Sequence, residues 1–113
     1  MPKKLFHELV MEKREKITAA ALAEFSQYGF TDSSTNRIVK EAEISKGSLF
    51  KYFETKEDLY FYILDGAVKD LLDGLKAGIS RLSEDLFERV VQYSRMEFEW
   101  HIRNPQKYRL IKR

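Results

Sequence analysis

Apolar residues recur every three or four positions along nearly the whole of this chain, and only two prolines, Pro2 and Pro105, interrupt the run. Such spacing gathers the apolar side chains into one stripe if a segment is helical and scatters them over both faces if it is a strand. The core must therefore form between helices, and the fold class is all-α.

Local signals divide the run. Ile17, Ala20, Ala21, Phe25 and Tyr28 predict an amphipathic helix over residues 13–28, and Gly29 follows in the position of a left-handed cap. Thr31-Asp32-Ser33-Ser34 offers N-cap oxygens for a short second helix carrying Ile38, Val39 and Ala42. Ser45 can cap a third short helix ending at Tyr52, and Thr55 with Asp58 reads as a capping box opening a fourth. The fourth is long: Tyr60, Ile63, Leu64, Ala67, Val68, Leu71, Leu72, Leu75 and Ile79 hold one stripe, with Gly74 and Gly78 weakening its far end. A fifth helix is expected from about Ser83, with Glu84 and Asp85 in its first turn. Leu86, Phe87, Val90, Val91, Ser94 and Phe98 form its face, and Asn104-Pro105 ends it. The last eight residues begin an element that is not completed.

A chain of 113 residues is the length of one domain, and it holds no cysteine, so neither a disulfide frame nor a thiolate nucleophile is available. No apolar run reaches the ~20 residues of a membrane span, and no apolar block follows the basic N-terminus as a signal peptide requires. The net charge is +2, and all the excess lies in residues 1–56, which carry ten Lys/Arg against eight Asp/Glu. That balance leans towards a polyanionic partner at the N-terminal half. His7-Glu8 lacks a second histidine four residues on, no metal-ligand cluster occurs, and no nucleophile is paired with a base. An enzyme, a cofactor and a metal are accordingly not expected.

The window opening at residue 35 carries the functional reading. A helix-turn-helix needs apolar residues inside its first helix, at its turn and inside its second, and Ile38, Ala42, Ile44, Leu49 and Tyr52 supply them. The first turn of the second helix is then free to enter a major groove. That turn reads Ser45-Lys46-Gly47-Ser48. Lys46 can reach a guanine edge or a phosphate, and Gly47 lets the backbone approach a duplex closely. Lys51 and Lys56 flank the apolar face and suit phosphate clamping. Between Ser45 and Phe53 there are two positive charges and no negative one.

The stretches "ITAAALAEFSQYGFTDSSTNRIVKEAEIS" and "SKGSLFKYFETKEDLYFYIL" resemble the DNA-binding domain of the tetracycline-repressor (TetR) family of bacterial regulators. The resemblance covers residues 14–64 strongly and the remainder only through its helical pattern. It implies a three-helix DNA-binding domain over residues 1–54. Residues 55–113 would hold the linking helix and the first part of a helical effector-binding and dimerisation domain. By the same implication, Thr35 and Asn36 touch phosphate or base, and Ser45, Lys46, Gly47 and Ser48 begin the reading helix. Phe50, Lys51 and Tyr52 face the DNA backbone, and Lys56 contacts a phosphate. The family's working form is a cytoplasmic homodimer on a palindromic double-stranded operator, usually a repressor released by a small-molecule effector. Its chains usually continue past Pro105 through the helices of the dimer interface, so a fragment that dimerises weakly is expected.

This chain departs from the family pattern at two positions. Phe50 stands where a tyrosine is common and cannot donate a hydroxyl to phosphate. Glu43 stands where the turn usually has glycine, and a left-handed backbone there costs roughly 1 kcal/mol or more. These departures motivate the competing reading, a helical protein-interaction module that has lost DNA binding. Tyr93, Phe98, Trp100 and Tyr108 are candidates for an effector pocket, with core packing as their ordinary alternative.

Overall fold

The computed structural model describes residues 2–113. Among these residues seven helices follow one another: α1 (Lys4–His7), α2 (Met11–Tyr28), α3 (Thr35–Ala42), α4 (Lys46–Tyr52), α5 (Lys56–Ile79), α6 (Leu86–Arg103) and α7 (Pro105–Lys112). The caps are those the residue types demand. The side chains of Ser34, Ser45 and Thr55 accept hydrogen bonds from the backbone N–H of Arg37, Ser48 and Asp58, opening α3, α4 and α5. Gly29 closes α2 at φ 76° and donates its N–H to the Phe25 carbonyl. Asp85 is the N-cap of α6 rather than a first-turn residue, because its carboxylate accepts from the Glu88 N–H.

One core joins α1 to α5 with α7. Phe6, Ile17, Ala21, Phe25, Ile38, Ala42, Leu49, Phe53, Leu59, Ile63, Ala67 and Leu110 pack as a single buried cluster. The core thus runs across residue 54, since Leu59, Ile63 and Ala67 of α5 sit in the same cluster as the first three-helix unit.

Elements at both ends differ from expectation. The stretch before α2, where the sequence pattern predicted no element, holds α1 and is stapled down: Phe6 is 0 % exposed. Its ring lies 4.9 Å from that of Phe53 and 5.4 Å from that of Tyr62. The Lys3 N–H donates to the Tyr52 carbonyl at 2.7 Å, and Pro2 bridges Phe53. Pro105–Lys112 forms helix α7, which docks Leu110 between α2 and α5. Arg113 then donates to the Ser26 and Gln27 carbonyls at 3.0 and 2.6 Å, satisfying acceptors that the end of α2 leaves open.

The expected face of α6 looks outward. Leu86 and Phe87 are 76 % and 77 % exposed, and Val90, Val91 and Phe98 are exposed with them. What meets α5 is the opposite side of α6, through Trp100 and Met96. Gly74 and Gly78 are the notches that receive them: a Cβ on Gly74 would lie 2.8 Å from Trp100 Cδ1, and one on Gly78 would collide with the Met96 methyl. The glycines lower helix propensity but allow the two helices to approach. Gly74→Ala is therefore expected to destabilise the protein by about 1–2 kcal/mol through overpacking, although alanine gains about 1 kcal/mol of helix propensity. Thermal unfolding checks this, and a raised midpoint would show that Trp100 yields freely.

Candidate nucleic-acid interface

The pair α3–α4 is built around the turn at Glu43, which takes φ 60°, ψ 40°. This is the left-handed conformation anticipated for a position where glycine would be easier. Closing the turn are N–H groups of Glu43 and Ile44, which donate to the Lys40 and Val39 carbonyls. The Glu43 carboxylate pairs with Lys16 of α2 at 3.3 Å, so part of its negative charge is neutralised beside α4. Ile38, Ala42 and Leu49 are buried between the helices, while Ile44 and Tyr52 pack against the same core.

That packing leaves the first turn of α4 outside. Ser45, Lys46 and Gly47 are exposed. A Cβ added to Gly47 would meet only the Ser45 hydroxyl, at 4.0 Å, so nothing inside the protein requires glycine there. Ser45 and Ser48 share a hydroxyl–hydroxyl hydrogen bond of 2.9 Å that fixes the turn. Lys51 is exposed one turn further on, and neither Lys46 nor Lys51 is paired with a carboxylate among the described residues. Asn36 is exposed and Thr35 half-buried at the start of α3, and Phe50 and Tyr52 are half-buried.

Lys56 has an additional, internal task. Its ammonium donates to the Ser33 carbonyl at 3.0 Å and lies 4.7 Å from the centre of the Phe30 ring, tying the start of α5 to the loop before α3. The four aromatics considered for an effector pocket do not converge. Trp100 is buried against Gly74 and Tyr108 stacks on His101 at 3.9 Å, whereas Tyr93 and Phe98 are exposed on α6.

Sequence reasoning missed the bond that holds α3 in place. Glu24, only 8 % exposed, receives Arg37 through Nη2 at 2.7 Å and through Nε at 3.0 and 3.1 Å, and it also accepts the Ser34 N–H at 2.8 Å. Arg37 lies over the Tyr28 ring at 4.4 Å. A glutamate on the apolar side of α2 was the available signal. Burial pushes the Glu24 carboxyl up, but the Arg37 and Ser34 hydrogen bonds and the charges of Arg37 and Lys56 outweigh it, and the group titrates below the ordinary range. A depressed folded-state pKa gives stability that is present above the unfolded value near ~4.3 and lost as pH falls through the folded one. Melting temperature should therefore drop with pH across that acid window in the parent protein. The drop should be shallower in Glu24→Gln, and equal slopes would remove Glu24 from the account.

Residues 17–68 match the family described as "Bacterial regulatory proteins, tetR family". The HTH-type transcriptional regulator RutR of Escherichia coli (strain K12) is 34 % identical over 104 residues, 90 % of this chain and 47 % of the relative. The crystal structure of a TetR family transcriptional regulator from Chloroflexus aurantiacus superposes with a TM-score of 0.85 at 27 % identity, over 97 % of this chain and 51 % of that one. Residues 17–68 are a tetR-family domain. The HTH-type transcriptional regulator HbdR of Aromatoleum sp. (strain CIB) is 35 % identical over 79 residues, 70 % of this chain and 33 % of the relative. The chain thus spans about half, or less, of the length of the curated relatives it matches. The match contains α3, its left-handed turn and α4 whole, so the segment with the exposed lysines is also the one shared with these regulators.

Proposed function

We propose that this chain carries the DNA-reading half of a transcriptional regulator, in which α4 enters the major groove of an operator. The observation that supports this best is the first turn of α4, where Lys46 and Gly47 are exposed while Leu49 anchors the helix behind them. Lys46, Ser45 and Ser48 would meet base edges or phosphates, and Thr35, Asn36 and Lys51 would position the duplex through its backbone. Phe50 would pack against sugar, and the half-buried Tyr52 would bring its hydroxyl to phosphate. Lys56 would place the start of α5 and offer a remaining N–H to the backbone. Lys3, joined to the end of α4 through the Tyr52 carbonyl, adds a positive charge that sequence reasoning did not assign to this face.

The protein would act in the cytoplasm as a homodimer on a near-palindromic operator, as a repressor released by a small molecule. Support for the homodimer comes from the family alone. No helix among the described residues is long and apolar enough to cross a membrane.

Selection of bound duplexes from a random pool tests the reading. It should enrich half-sites that recur as an inverted repeat about one helical turn, ~10 base pairs, apart. Gel shifts on the enriched sequence should weaken steeply as salt rises. A pool that enriches nothing, with no shift even at low salt, would favour the protein-interaction reading instead.

A further inference from the structure

The segment before α2 lies outside the stretch matched to the family, residues 17–68, yet it is fastened to the end of α4. The Lys3 N–H donates to the Tyr52 carbonyl at 2.7 Å, an acceptor that the last turn of α4 leaves open. Pro2 forms an isolated antiparallel bridge with Phe53. Three residues further on, Phe6 is fully buried against Tyr52, Phe53 and Tyr62.

Lys3 is thus held by its backbone between two anchors, while its side chain is not engaged. It is exposed and pairs with no carboxylate among the described residues. Its neighbour Lys4 has Glu8 at 4.0 Å. The open carbonyl at Tyr52 accounts for the Lys3 N–H, and apolar burial accounts for Phe6. Neither calls for a lysine at position 3, because any residue but proline supplies that N–H. Helix α4 is about 10 Å long, at 1.5 Å per residue, with Lys46 opening it and Lys51 in its last turn. Lys3 adds a third unpaired ammonium at the carboxyl end. Glu54, the next carboxylate along the chain, is exposed and closes no ion pair with Lys3 or Lys51. A duplex presents a phosphate of each strand every ~3.4 Å of its axis, so one seated on α4 offers backbone to both ends of the helix. A lysine on a loose arm would have to be ordered when DNA binds. Here the main chain is ordered when the protein folds, so less of the attraction is lost to immobilisation.

We propose, on the operator reading above, that Lys3 is a phosphate contact, set by the Pro2–Phe6 strap on the DNA backbone at the carboxyl end of α4. Anisotropy titrations of the 113-residue protein on the selected duplex, over a salt series, test it. Lys3→Ala should lower the slope of log affinity against log salt by about 0.9, and so weaken binding about five- to tenfold near ~0.1 M salt. All sequences should weaken alike, because a phosphate carries no base identity. Lys3→Arg should restore the slope, and Lys4→Ala should leave it within about 0.3 of the parent. The bond to Tyr52 survives each change, so the melting temperature should stay within about a degree or two. Phosphate ethylation locates the contact. In each half-site one ethylated phosphate should weaken the parent and leave Lys3→Ala indifferent, and it should differ from the phosphate to which Lys51→Ala is indifferent.

A parent protein that binds no duplex overturns the operator reading and this contact with it. A parent that binds, with Lys3→Ala matching its slope and its ethylation pattern, overturns the contact alone. So does a Lys4→Ala protein that loses as much as Lys3→Ala.

Discussion

The double substitution Lys46→Ala/Lys51→Ala will weaken operator binding by about 100-fold at moderate salt while leaving the melting temperature within a degree or two of the parent. Both lysines are exposed and unpaired with carboxylates among the described residues, so the folded chain loses little when they go. The complex loses more. Each lysine that neutralises a phosphate contributes about 0.9 to the slope of log affinity against log salt, so the double variant should flatten that slope by up to about 2. The single variants separate the roles. Lys51→Ala should weaken all sequences alike and lower the slope by about 1, the behaviour of a phosphate contact. Lys46→Ala should in addition relax preference at one base pair of each half-site if it reads a guanine, with discrimination falling by about 1–3 kcal/mol there. Fluorescence anisotropy over a salt series measures all of this. An unchanged slope and unchanged affinity in the double variant would remove α4 from the interface.

Phe6→Ala is expected to cost about 3–5 kcal/mol, a large part of the 5–15 kcal/mol that stabilises a typical domain. Phe6 is fully buried at the meeting point of Phe53, Tyr52 and Tyr62, so its removal leaves a cavity lined by three aromatic rings that cannot all collapse into it. The midpoint of thermal unfolding should fall by about 10 °C or more. Because Phe6 holds the end of α4 through Tyr52 and Phe53, DNA affinity should fall in the same variant even at temperatures where it remains folded. Phe6→Leu, which keeps much of the apolar volume, should recover most of both losses. A Phe6→Ala protein as stable as the parent would mean that the segment before α2 is not part of the working fold.

What could be read from the sequence was chemistry that acts within a few residues. Ser34, Ser45 and Thr55 cap helices because a side-chain oxygen reaches an N–H three residues on, wherever the helix later packs. The strain at Glu43 was legible for the same reason: a turn that favours glycine forces its angle on any substitute. The exposed start of α4 followed from the placement of Ile38, Ala42 and Leu49, which fixes the inner face and so the outer one. Tertiary arrangements were not legible. An apolar stripe looks the same whether it is covered or not, so the stripe on α6 gave no warning that it faces outward. Gly74 and Gly78 read as weak points because the indole and thioether that occupy them lie more than fifteen residues away in sequence. Glu24 and Arg37 meet across thirteen positions, and Phe6 meets Phe53 across nearly half of the chain. Of the aromatics taken as one pocket, Trp100 is buried against Gly74 while Tyr93 and Phe98 are exposed, a division that residue type alone does not encode.

The bridge between Pro2 and Phe53 bears on how the molecule should be handled at the bench. An affinity tag fused upstream would emerge beside the end of α4, and a polyhistidine or acidic leader would place its own charge next to the proposed DNA face. Binding constants from amino-tagged preparations would then describe the leader as well as the protein. Cleaving the tag, or moving it to the other terminus, should come before any comparison of operators.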